Sequence, residues 1–121
     1  MTHAIRIHES GGPEVMRWEE VALGEPAAGQ ARVRHTAVGV NFIDVYHRTG
    51  LYPLPSLPHG LGVEAAGVVE AIGAGVAGVR VGEHVAYVAA PPGAYANAGL
   101  VSADRLVPLP ESIDARTAAA A

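Results

Sequence analysis

The chain has 121 residues, with 12 acidic side chains against 8 basic ones and a formal net charge of −4. All eight cations are arginine, and they form none of the clustered positive charge that nucleic acid or an anionic membrane requires. The absence of cysteine excludes a disulfide framework, a thiolate nucleophile and any zinc site built on cysteine ligands.

Met1 to Arg6 lacks the apolar core of a signal peptide, and no later stretch of about 20 apolar residues could span a bilayer, so a cytoplasmic, membrane-free chain is expected. Ala4–His8 and Val15–Val21 read as two short strands separated by the breaker cluster Ser10-Gly11-Gly12-Pro13. After a polar turn over 24–30, residues 31–38 alternate, with Ala31, Val33, His35 and Ala37 on one face, which predicts a half-buried strand. Asn41 then suits a helix N-cap, Asp44 the acidic position of a capping box, and Gly50 a left-handed C-terminal residue. Phe42, Val45, Tyr46 and Thr49 fall on one face of this two-turn helix.

The proline-rich segment 51–60 can be neither helix nor central strand. Glu64–Ile72 reads as a buried strand, His84–Val88 as another, and 95–107 as one or two more. Ser112 and Asp114 are candidate caps for a helix running into Ala118–Ala121. Glycine (15) and proline (9) together fill 24 positions while half the chain is hydrophobic, which favours short strands joined by tight turns over disorder. A small, mostly antiparallel barrel is the expected architecture.

Gly73-Ala74-Gly75-Val76-Ala77-Gly78 matches the dinucleotide fingerprint G-x-G-x-x-G. That fingerprint works only where a helix opens at the loop and an acid follows about 20 residues on. Here strand-like Val79-Arg80-Val81 and the Gly82 turn follow at once, so the stretch reads as a turn. The six histidines (3, 8, 35, 47, 59 and 84) include no H-x-x-x-H or H-E-x-x-H pair; His59, in the loop before Glu64, is the one to watch. Asn41, Tyr46 and Tyr52 have two readings: a cap with two ordinary amphipathic tyrosines, or an amide and two phenols around a cleft that hydrogen-bonds a carbonyl without metal.

The run Gly39 to Pro53, with its N-F-x-D-x-Y-x-R-x-G-x-Y pattern, then Gly62-Val63-Glu64-Ala65-Ala66-Gly67 and Gly82-Glu83-His84-Val85-Ala86-Tyr87, resembles the zeta-crystallin-like quinone oxidoreductases of the medium-chain dehydrogenase/reductase superfamily. The likeness covers essentially the whole chain and implies a mostly β, GroES-like, partly open barrel with one or two short helices. Residues 1–112 would be the catalytic, substrate-side domain, and 113–121 the start of a helix leading to an absent Rossmann domain that binds most of the NADPH. Alcohol dehydrogenases of that superfamily carry a zinc-ligand cysteine where Asn41 stands and a ligand histidine where Val63 stands, so the resemblance implies a zinc-free enzyme with no metal ligands.

It further implies hydride transfer from NADPH to a quinone or conjugated carbonyl, with Asn41, Phe42, Ile43 and Tyr46 lining the nicotinamide pocket. Tyr46, Tyr52 and Asn41 would be the catalytic set, with an ion pair between Arg48 and Glu64 holding the loop. A homodimer is implied for the full-length enzyme, and 121 residues alone would be inactive, exposing apolar surface at 41–52 and 118–121 where the cofactor domain docks. The alternatives are an enone or alkenal reductase domain, differing only in acceptor, and a stand-alone GroES-like binding module. The latter would need a mobile glycine-rich loop where this chain has a proline-rich one.

Overall fold

The computed structural model describes residues 2–89 and 91–120. Eight strands run in chain order: β1 (Thr2–Ile7), β2 (Met16–Val21), β3 (Gln30–Gly39), β4 (His59–Gly60), β5 (Glu64–Ile72), β6 (His84–Val88), β7 (Ala98–Ser102) and β8 (Val107–Pro108). Helix α1 (Phe42–Thr49) lies between β3 and β4, and α2 (Ala115–Ala119) follows β8. All pairings are antiparallel, in a three-stranded sheet β2-β1-β4 and a five-stranded sheet β7-β3-β5-β6-β8. The expected open, mostly β barrel is therefore present.

The two sheets are joined by the segment just before β7. Tyr95 accepts from the Ile5 N–H (2.7 Å), Asn97 N–H donates to the His3 carbonyl (3.1 Å), and the Asn97 carbonyl accepts from His35 (2.8 Å), so one stretch of chain satisfies backbone from both sheets. At the outer face of the small sheet, Trp18 stacks on His3 with ring centroids 5.4 Å apart.

The barrel core is built from small side chains. Ala31, Val33, Ala65, Val69, Val79, Val85, Ala94, Val101 and Leu106 pack together with one aromatic, Tyr87. This allows strands to approach closely, and at Gly67 the approach is obligatory: a Cβ there would fall onto the Arg34 carbonyl. Gly67 pairs with His35 at a register shift in β3, a bulge at Thr36 of the kind that locally bends and twists a strand.

Two expectations need correction and one gains detail. Val79–Val81 forms no strand; Gly82 takes the left-handed conformation (φ +92°), and β5 spends its Val69 backbone groups on Gly82 and Glu83 (2.7 and 3.0 Å) instead. His59–Gly60, inside the proline-rich segment, pairs with β1 as a two-residue edge strand. The C-terminal alanines are only in part an open apolar surface: Ala120 is exposed and Ala118 partly so, but Ala119 is buried where α2 packs on the large sheet, and Ala121 lies outside the described residues. Asp114 caps α2 as expected, accepting the Thr117 N–H at 2.8 Å. No helix opens at 73–78, which remains a turn; its Ala74 carbonyl accepts from Gly29 at 2.9 Å.

Candidate active site

Helix α1 begins where β3 ends. At Gly39 a Cβ would strike the Glu64 carboxylate, so the glycine lets Glu64 of the paired strand lie across the chain just before the helix. Asn41 is extended (φ −129°, ψ 154°), and its main-chain carbonyl accepts from Asp44 N–H at 3.0 Å. The Asp44 carboxylate reaches back to accept Asn41 N–H, also at 3.0 Å, completing the acidic half of the capping box. Gly50 closes the helix in the left-handed conformation at φ +88°.

The helix faces differ from the expectation. Asp44 is the buried residue, only 4% exposed, whereas Phe42 is 74% exposed and Tyr52 half exposed. Tyr95 donates its hydroxyl to the same Asp44 oxygen that takes Asn41 N–H, and the other carboxylate oxygen, Oδ1, is buried without a partner. Burial, and then the Asp44 carboxylate, push the Tyr95 phenol well above the ordinary tyrosine value. Tyr95 is seated from behind by Gly62, whose left-handed backbone (φ +97°) leaves the tyrosine ring the space that a Cβ would occupy. Its N–H donates to the Leu61 carbonyl at 2.8 Å.

Outward from this anchor, Phe42, Tyr46 and Tyr52 form an aromatic row. Phe42 meets Tyr46 edge-on at 5.6 Å between centroids, and Tyr46 meets Tyr52 edge-on at 5.3 Å. Tyr52 N–H donates to the Tyr46 carbonyl at 3.2 Å, which fixes the start of the proline-rich loop against the helix. Among the described residues neither tyrosine hydroxyl bonds to a protein group. Three of the five sequence-predicted residues, Phe42, Tyr46 and Tyr52, thus share one edge; Asn41 stands at the N-cap next to Phe42, and Ile43 sits exposed on the first turn. The Asn41 Nδ2 is buried and unpartnered, so this amide nitrogen points inward and not to the open edge.

The edge is surface and not a closed pocket. A cavity of about 510 Å³ lies between β6, β8 and α2, lined by Glu64, Val88, Val107 and Ile113, and one of about 410 Å³ lies beside Trp18, Val38, Val40 and Tyr95. Neither is lined by Asn41, Tyr46 or Tyr52.

The Arg48–Glu64 ion pair does not form. Arg48 instead clips the Ser10–Pro13 turn: its guanidinium donates to the Gly11 carbonyl at 2.9 Å, and Gly11 N–H donates to the Arg48 carbonyl at 3.0 Å. His59 bonds only to the neighbouring Gly60 carbonyl through Nδ1, at 2.9 Å. Among the described residues no group of three or more His, Asp or Glu side chains converges on a point that could hold a metal ion.

Two pairs escaped the sequence reading. One is Asp44–Tyr95. The other is His35–Tyr87: His35 Nδ1 donates to the Ala96 carbonyl (2.8 Å), which leaves Nε2 to accept the Tyr87 hydroxyl (2.6 Å). Burial lowers the His35 pKa and raises that of Tyr87, both favouring the neutral forms. The partners lie 51 and 52 residues apart, so no local pattern links them.

Residues 27–111 match the alcohol dehydrogenase GroES-like domain family. The chain belongs to that family. Among relatives of this GroES-like domain, the quinone oxidoreductase of Pseudomonas aeruginosa is 47% identical over 120 residues, covering 99% of this chain and 37% of that protein. A 2-haloacrylate reductase from a Burkholderia species is 46% identical over 118 residues, covering 94% of this chain and 35% of that protein. The structure of Escherichia coli quinone oxidoreductase complexed with NADPH superimposes with a TM-score of 0.94 at 44% identity, over 98% of this chain and 36% of that one. The GroES-like domain therefore spans little more than a third of the length of the relatives it matches. Among the described residues no helix is long and apolar enough to cross a membrane.

Proposed function

We propose that this chain is the substrate-side domain of an NADPH-dependent quinone oxidoreductase that works without zinc. Residues 1–112 form the domain, and 113–121 begin the connection to a Rossmann cofactor domain. The observation that carries this reading is the open aromatic edge at α1, where Phe42, Tyr46 and Tyr52 stand exposed or half-buried beside Asn41 with two phenols unspent. An enzyme complete in itself would close such a site; an enzyme half leaves it open for the other half to cover.

Zinc does not fit these residues. Asn41 and Val63 offer an amide and an isopropyl group where a thiolate and an imidazole would be needed, and the Val63 carbonyl is engaged by Ala89 N–H at 2.6 Å. NADPH fits at its nicotinamide end only. Phe42, Ile43 and Tyr46 follow Asn41 on the helix as apolar and aromatic side chains that suit a nicotinamide ring, whereas Gly73–Gly78 opens no helix to take a pyrophosphate.

When bound, NADPH supplies the hydride. The chain's own part is to hold the acceptor oxygen with the O–H donors of Tyr46 and Tyr52, where negative charge develops, and to exclude water with the aromatic row. The edge-on contact at 5.3 Å places the two tyrosine rings side by side, which supports a shared role toward one acceptor. The full-length enzyme is read as a cytoplasmic homodimer.

A second reading, reduction of an activated alkene conjugated to a carbonyl group, is favoured by the similarity to the 2-haloacrylate reductase. The test is NADPH oxidation by the product of the complete coding frame against quinones, enones and 2-haloacrylates. Faster turnover of quinones is expected; faster turnover of the alkenes selects the second reading, and no oxidation with any acceptor overturns both. The 121 residues alone are expected to show no micromolar NADPH binding by the cofactor's own fluorescence, and such binding would refute the two-domain reading.

A further inference from the structure

A buried carboxylate is costly unless its oxygens are engaged, and Asp44 is engaged in an informative way. One oxygen takes two donors, from two parts of the chain that nothing else in the local sequence connects. Asn41 N–H belongs to the first turn of α1, and the Tyr95 hydroxyl belongs to the segment that joins the two sheets. Tyr95 itself cannot drift. Its carbonyl is held by β1 through Ile5, its N–H by Leu61, and its ring by the space that Gly62 leaves.

From this we infer that the Asp44–Tyr95 hydrogen bond is a positioning device, which locks the N-terminal turn of α1 to the sheet junction and so sets where Asn41 and Tyr46 stand. The functional half of this inference rests on the active-site reading proposed above; the mechanical half does not. Asp44 and Tyr95 are positioning residues, because neither needs to touch cofactor or acceptor. The helix has only eight residues and presents much of its apolar surface outward; Arg48 ties its C-terminal turn to Gly11, which leaves its N-terminal turn to be held by Asp44. A charge-assisted bond at that turn can do so.

The test compares Tyr95→Phe with Tyr87→Phe. Both remove one hydrogen-bonded hydroxyl without changing ring shape, and the second breaks the His35 bond inside the barrel. On the 121-residue chain, amide hydrogen exchange in residues 42–49 is expected to speed up by roughly tenfold or more in Tyr95→Phe, the scale of a lost hydrogen bond to a charged group, and to stay unchanged in Tyr87→Phe. In the full-length enzyme, Tyr95→Phe is expected to lower kcat by roughly tenfold while KM for the acceptor holds, the signature of misplacement and not of lost binding. Unchanged exchange in Tyr95→Phe, or equal loosening of α1 by Tyr87→Phe, overturns the positioning role. Loosened exchange with an intact kcat overturns the link to catalysis. Should the wild-type enzyme reduce no acceptor at all, the proposed function falls, and the exchange comparison still decides whether the bond holds the helix.

Discussion

The barrel and the α1 edge solve opposite problems with different residue types. In the barrel, alanine, valine and glycine bring strands close, and the one pair of polar rings, His35 and Tyr87, satisfies itself completely. At α1 the aromatics face outward, two phenols are unspent, and Asn41 Nδ2, Asp44 Oδ1 and His47 Nδ1 are buried without partners. Closed hydrogen bonding and close packing mark the part of a protein that only has to hold its shape; at the open edge it is the two phenols, and not the inward-facing buried atoms, that are left to bind.

Substitutions can break or sharpen that contrast. The largest effect is expected from Gly67→Ala, which forces a methyl group against the Arg34 carbonyl where neither backbone can yield; a loss of about 3 kcal/mol should be read by urea denaturation. Tyr87→Phe strands the Nε2 of His35 and is expected to cost about 1–2 kcal/mol in the same measurement.

Acid should probe the same pair more gently. Burial depresses the His35 pKa in the folded protein below its ordinary value near 6.5, so the unfolded chain takes up the proton first. Its contribution to stability is full above the unfolded value and is lost as the pH falls through the folded one. The melting temperature should therefore drop below about pH 6.5, on a slope no steeper than about 1.4 kcal/mol per pH unit for one proton, and His35→Gln should flatten that limb.

At the open edge the expected stability effects are smallest. Phe42→Ser and Tyr52→Phe should each leave the urea midpoint within about 0.5 kcal/mol of wild type, because both rings already face solvent. If instead Phe42→Ser destabilises as much as Tyr87→Phe, the edge is structural and the contrast fails. In the full-length enzyme Tyr52→Phe is expected to slow quinone reduction, and unchanged rates on every acceptor would remove Tyr52 from the site.

What could be read in the sequence follows from how far apart the interacting residues lie. The caps of α1, Asn41 and Gly50, announce themselves because capping is settled within one turn of chain. β5 has the bounds expected of it, since its apolar run carries a single isolated glycine, Gly67, and ends at the Gly73-Ala74-Gly75 breaker. The valines at 79 and 81 mislead, because Gly82 turns the chain before a ladder can form and only Val79 is buried. Arg48 sits 16 residues from Glu64 and 37 from Gly11, and sequence proximity points to the wrong partner. Asp44 misleads more subtly. Its capping role is local and visible, while its burial under Tyr95 depends on the folded barrel, and one carboxylate serves both.

Trp18 has a practical consequence. It is the sole indole in the chain, 60% exposed on β2 and stacked on His3. Its emission reports on the hairpin of the small sheet, whereas far-ultraviolet circular dichroism is dominated by the larger sheet. Two melting curves recorded from these two signals will superimpose only if the hairpin and the barrel unfold as one cooperative unit.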